Sequence, residues 1–215
     1  IEQAVGRAVE MGRPVHFVPG IEGLSSTFAA QTVAGLSVLS YTASLCAKYG
    51  CKIITTNQNV ESLPVQEEIV KQAYLSAGKA DLFEPGMVRH LSPYNMSYGA
   101  GAVALVEREN VATNILIGAH SMEALMILEA GSRVGAMQIG GTGTLTRSMD
   151  FAVGVDYLLI GEDIYAAGAY LTGDRALMAT IEAQDYCKIG FLVITMVGVV
   201  MALLGNQYII KILQS

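Results

Sequence analysis

The chain has 215 residues, room for one ordinary domain plus an appendage, and it is apolar: 52% of its residues are hydrophobic and 15% charged, with a mean hydropathy of +0.44, where a typical globular chain carries about 25% charged residues. A formal charge of −6, with no cluster of Lys and Arg interleaved with aromatics, argues against a nucleic-acid partner. Three cysteines (Cys46, Cys51 and Cys187) form an odd set without framework spacing, which argues against a disulfide-stapled secreted domain.

Short apolar runs alternate with longer helical stretches. PVHFV (14–18) precedes a long helical stretch (24–50) with Ser25 or Ser26 as its cap and Gly50 past its end. Cys46 and Cys51 fall at a helix end and a strand start. They either pair there or are two buried apolar residues, and the odd count favours the second. CKIITT (51–56) precedes SLPVQEEIVKQAYLSAG (62–78), with Ser62 as N-cap, Pro64 in the first turn and Gly78 as the stop. Residues 79–91 are irregular, a loop with a short edge strand. A helix at 92–110 follows, with Ser92 as its cap and Pro93 at its first position. NILIG (114–118), AMQIG (136–140) and YLLIG (157–161) each lead into a further helical stretch.

Five strand candidates without polar alternation are expected to be buried on both faces, the mark of a parallel sheet between helices. The predicted class is α/β: an open, doubly wound, mostly parallel five-stranded sheet, Rossmann-like, followed by a C-terminal transmembrane helix. The expected domains are residues 1–185 and a membrane segment, 186–215. From Ile189 to Ile210 no residue is charged. As a helix this run is ~33 Å long, matching a hydrocarbon core of about 30 Å. Lys188 and Lys211 flank it, and Tyr186 and Tyr208 lie at interfacial depths. Asn206 and Gln207 are its polar interruption.

Ligands of such sheets bind beyond the carboxyl ends of the strands. Those ends carry Pro19, Gly20 and Glu22; Thr56, Asn57 and Asn59; Gly118, His120 and Glu123; Gly140 to Gly143; and Gly161 to Asp163. This glycine-rich rim has two readings, a binding site or the turns and caps that any such sheet needs. AMQIGGTGTLTR (136–147) approximates a dinucleotide fingerprint, but Thr146 stands where the third glycine belongs, and no lysine is present for a P-loop. What survives is a generic anion cradle at Gly140, Gly141, Thr142, Gly143 and Thr144, with Arg147 assisting, against a helix cap made by Thr142 or Thr144.

No nucleophile elbow and no metal-ligand spacing occur, so no cofactor and no metal is expected. His16 reads as a core histidine. His120, with Glu123 and Glu162, is the best acid–base candidate.

The order of AVGRAVEMGRPVHFVPG, AKYGCKIITT, VKQAYLSAGKAD, AMQIGGTGTLTRSMDFAVGVDYLLIGEDIYAAGAYL and the apolar run after them resembles an uncharacterised prokaryotic family of membrane-anchored α/β domains. The resemblance covers nearly the whole chain and brings no catalytic residues. It implies a bilayer partner, and members that are often doubly anchored, which fits a segment preceding Ile1.

Two functions are expected. The first is a structural or scaffold protein that assembles into homo-oligomers. The small-residue stretches SYGAGAVALV and YAAGAYL permit close helix approach, within a domain or between copies. The second is a small-ligand (anion or nucleotide) binding module or enzyme at the rim, its ligand unknown. The expected location is the cell inner membrane, with the soluble domain on the cytoplasmic side.

Overall fold

The computed structural model describes residues 1–173 and 175–203. The chain forms two compact units, Ile1–Gly173 and Asp174–Ser215. The first runs α1 (Glu2–Met11), β1 (Val15–Val18), α2 (Ala29–Tyr49), β2 (Ile53–Asn57), α3 (Leu63–Ser76), β3 (Val88–His90), α4 (Asn95–Glu109), β4 (Thr113–Ile117), α5 (Glu123–Arg133), β5 (Met137–Thr142), α6 (Leu145–Ala152), β6 (Tyr157–Ile160) and α7 (Asp163–Thr172).

The strands form one sheet in the order β3-β2-β1-β4-β5-β6, every pair parallel. This is a doubly wound, Rossmann-like α/β fold whose strand order reverses between β1 and β4. It has six strands and not five. The added one, β3, is the short edge strand expected within 79–91. Its three residues include Arg89, which pairs with Glu109 at 3.1 Å, so no apolar run announces it.

Strands β1, β2 and β4 are buried along their whole length. One core cluster combines Val5, Phe17, Leu39, Val70 and Ile115 with other residues of α1, α2, α3 and the sheet. A second, on the other face, combines Tyr98, Val106, Ile127, Leu128 and Phe151 from α4, α5 and α6. Helix α1 was no part of the expected elements, because only three small residues, Ala4, Val5 and Ala8, form its buried stripe. Past its end, Arg13 donates to the carbonyls of Asn110, Val111 (2.8 Å) and Val134 (2.9 Å), joining the ends of α4 and α5.

Helix caps differ from the serine assignments. Helix α2 starts at Ala29, and the Ser26 hydroxyl accepts from the Phe28 N–H at 3.1 Å in the turn before it. Helix α4 starts at Asn95, and the Ser92 hydroxyl accepts from the Tyr94 N–H at 3.2 Å. Both serines make local turns, the competing use of that side chain. Ser62 does precede α3, but its hydroxyl donates to the Asn59 carbonyl and accepts from Gln66. Gly50 ends α2 at φ 75°, with the Cys51 N–H returning to the Cys46 carbonyl at 2.8 Å. Cys46 and Cys51 are buried free thiols.

A polar seam runs through the second face of the sheet. The Asn114 amide oxygen only accepts, so the His16 ring donates to it from Nδ1 (2.7 Å) and accepts at Nε2 from the Thr56 hydroxyl (2.9 Å). Thr56 in turn accepts from the Tyr98 hydroxyl at 2.9 Å. Asn114 Nδ2 donates to Gln138 Oε1, and Gln138 Nε2 donates to the carbonyls of Leu128 and Gly154. Four strands and the helix layer above them are thereby tied by side chains whose donors and acceptors match in sequence.

In the second unit, α8 (Arg175–Leu203) contains a 27-residue stretch, Arg175–Met201, long and apolar enough to cross a membrane, with none of its most apolar window buried. Asn206, Gln207, Tyr208 and Lys211 lie outside the described residues.

Burial pushes the His16 imidazole from 6.5 down to about 4, so the folded state holds it neutral. The unfolded chain therefore takes up a proton first as pH falls, and stability is lost between about pH 6.5 and 4, on the order of 3 kcal/mol from this group. A ring NMR titration is expected to show His16 neutral until about pH 4. Protonation near 6.5 in the folded protein would contradict the seam.

Candidate functional site

The place where such a sheet opens for ligands is the end of β1 and β4. Here it is closed. Gly20 (φ 96°) and Gly118 (φ 141°) lie back to back: a Cβ on Gly118 would stand 2.6 Å from the Pro19 carbonyl oxygen, and one on Gly20 2.9 Å from the Ala119 nitrogen. The Ile21 N–H donates to the Ala119 carbonyl at 2.9 Å. Helix α2 presses on the same point through Gly35, whose Cβ would lie 2.3 Å from the Ile117 carbonyl oxygen. These glycines permit contact between backbones.

Each residue of the expected cradle has a place. Gly140 and Gly141 are inside β5, and side chains on Gly140 and Gly141 would meet Phe151 at 2.3 Å and Ile164 and Leu159 at 3.0 Å. They are packing glycines under the flanking helices. The Gly143 N–H, the donor best placed for an anion, gives its hydrogen to Gln31 Oε1 at 2.9 Å. The Thr142 hydroxyl donates to the same oxygen at 3.4 Å, and Gln31 Nε2 donates to the Thr144 hydroxyl at 3.1 Å. Gln31 comes from the first turn of α2 and is 6% exposed. Its amide occupies the position an anion would take. The Thr142 hydroxyl also accepts from the Thr144 N–H at 3.2 Å, so it does local turn work before α6. Arg147 reaches Asp150 at 3.4 Å.

His120 and Glu123 do come together, and both side chains are fully buried. His120 Nδ1 lies 3.2 Å from Glu123 Oε1. The Ser121 N–H and Asn95 Nδ2 also donate to the carboxylate, at 2.9 and 2.8 Å. Burial pushes the Glu123 carboxyl up, but these hydrogen bonds and the facing imidazole outweigh it and hold the group below the usual range. The His120 ring meets Phe151 edge to face, with centroids 5.5 Å apart. With Nδ1 facing the carboxylate, the ring is held in one orientation and Nε2 is its outward nitrogen. It has no hydrogen-bond partner among the described residues. Asn95, 28 residues away on α4, belongs to this cluster and carried no sequence signal. Glu162 is placed at the N-terminal cap of α7.

A second orphan lies at the end of β2. Asn57 Nδ2 is buried without a partner, while its oxygen faces His90 Nδ1 at 3.2 Å. Among the described residues no three His, Cys, Asp or Glu side chains cluster as metal ligands.

Because Gln31 fills the β5–α6 turn, millimolar inorganic phosphate is expected to leave the melting temperature of the wild type unchanged and to raise that of Gln31→Ala. A phosphate shift in the wild type would show that the cradle is open. Gly140→Ala is expected to cost about 2 kcal/mol by overpacking against Phe151, measured by urea unfolding.

No curated protein and no solved structure matches the chain. A family model does, over residues 1–213. The chain therefore belongs to the family described as a domain of unknown function, DUF6754.

Proposed function

We propose that this protein is a membrane-anchored α/β domain that assembles into a homo-oligomeric scaffold. The observation that carries the reading is the uneven cover of the sheet. Strands β1, β2 and β4 are wholly buried, whereas β6 is exposed at both ends, Tyr157 to 53% and Ile160 to 41%. Exposed apolar surface such as that along β6 marks a contact site, and symmetric self-association is the commonest way to bury it. The backbone contact at Gly20 and Gly118 and the Gln31 amide in the β5–α6 turn favour this over catalysis. The apolar length of α8 supports an anchor, which would confine copies to one plane and raise their effective concentration. The free thiols of Cys46 and Cys51 suit the reducing, cytoplasmic side of an inner membrane.

The unpartnered His120 Nε2 and Asn57 Nδ2 favour a second reading, a polar small molecule bound at the strand ends. A thermal-shift series with phosphate, nucleotides and small carboxylates tests it; stabilisation lost in Asn57→Leu would support it, and no shift with any of them would remove it.

Two measurements test the first reading. A chain ending at Gly173 is expected to fold and to stay soluble without detergent. Unfolding of that chain would make α8 a core helix. Native mass spectrometry of the full chain in mild detergent is expected to give multiples of 22.8 kDa. A strict monomer would contradict the scaffold.

A further inference from the structure

The glycines of the small-residue helix stretches are already in contact inside the domain. A Cβ on Gly99 of α4 would meet Glu123 and Met126 of α5 at 3.1 and 3.2 Å, and one on Gly168 of α7 would meet Ser37 of α2 at 3.2 Å. Neither SYGAGAVALV nor YAAGAYL has a glycine face left for another copy. The surface that remains is elsewhere.

Leu145, Met149 and Val153 follow one another at four-residue intervals on α6 and its C-terminal cap, so they form a single stripe. They are 66%, 76% and 87% exposed. The stripe adjoins β6, since a Cβ on Gly161 would lie 3.6 Å from Leu145 Cδ2. Strand β6 ends the sheet, and among the described residues no strand pairs with its outer edge. On the other face of the sheet, Tyr157 and Tyr170, the latter 81% exposed, line a cavity of about 270 Å³ beside α1 and α7. The opposite edge is guarded: β3 is three residues long and carries the Arg89–Glu109 ion pair. Strand β6 reads YLLI, with no charge. An edge of that composition pairs with another strand unless something covers it.

We infer that the outer edge of β6 and the Leu145–Met149–Val153 stripe form a twofold interface with a second copy of this chain, the two β6 strands pairing antiparallel. The inference rests on the self-assembly reading and adds where the copies meet. Three arguments select a second copy. The stripe, β6 and Tyr170 together expose on the order of 800 Å² of surface, the share each partner brings to a standard interface. An isologous contact at a strand edge needs only this one patch, because the same residues serve both sides. A bilayer does not suit the site, since lipid cannot satisfy the free N–H and C=O groups of an edge strand. The Asp156 carboxylate does not obstruct the edge, because it turns inward to accept from the Gln138 N–H at 2.7 Å.

The test uses the full chain in detergent or nanodiscs, wild type against Met149→Lys/Val153→Glu/Tyr157→Lys. All three positions are more than half exposed, and circular dichroism melting checks that the variant folds. Native mass spectrometry over a dilution series is expected to show the dimer dissociation constant raised about a hundredfold or more in the variant. Hydrogen exchange of the peptide covering 156–161 is expected to slow as wild-type concentration rises. A folded variant that dimerises like the wild type, or edge amides that exchange at the same rate at every concentration, would overturn this interface while leaving self-assembly standing. A wild type that is monomeric at all concentrations would overturn both. A monomer whose Tyr157 fluorescence is quenched by brominated lipid would assign the patch to the membrane and overturn the inference.

Discussion

Covering a parallel sheet on both faces removes water from every polar atom in its strands, and that constraint orders the rest of this structure. The strands nevertheless carry His16, Thr56, Asn114 and Gln138, all buried. They are tolerated because each meets its complement. His16 sits between an oxygen that accepts and a hydroxyl that donates, and the chain ends on the main-chain carbonyls of Leu128 and Gly154. Removing one member would strand its neighbours in a region without water, at about 1–3 kcal/mol for each orphan. The seam therefore fixes the register of β1, β2, β4 and β5 as well as the seating of α4 and α5.

The same demand for closure shapes the carboxyl edge. Backbones touch at Gly20, Gly35 and Gly118 where other sheets of this class leave a crevice, and an amide from α2 fills the turn after β5. His120 and Glu123 form an oriented, buried pair at this edge. Among the six strands the cover is thinnest at β6. There the flanking helices leave Tyr157, Met149, Val153 and Tyr170 facing out, so the molecule is finished at one end of its sheet and unfinished at the other.

Much of this was legible in the sequence, and the rest was hidden for physical reasons. Runs such as PVHFV, NILIG and AMQIG announce buried strands because burial on both faces suppresses polar alternation. Strand β3 hides because an edge admits Arg89. Helix α1 hides because alanines are enough to pack it. Ser26 and Ser92 look like caps, but the hydroxyl of each serves a turn two residues on. The His120–Glu123 pair is readable as a three-residue spacing; the Asn95 that completes it and the Gln31 that fills the cradle come from distant parts of the chain. The glycines of 140–143 suggest phosphate because close approach is what glycine permits, and two of them turn out to admit Phe151, Leu159 and Ile164.

In the proposed assembly the unfinished end of the sheet is completed by another copy. Electron cryomicroscopy of the full chain in nanodiscs tests it most directly. The account predicts protomers joined at β6 into one continuous twelve-stranded sheet, twice the six of a single copy, with the α6 stripes facing across the twofold axis. Isolated protomers with β6 and Met149 open to solvent, or an assembly held only by α8, would contradict it.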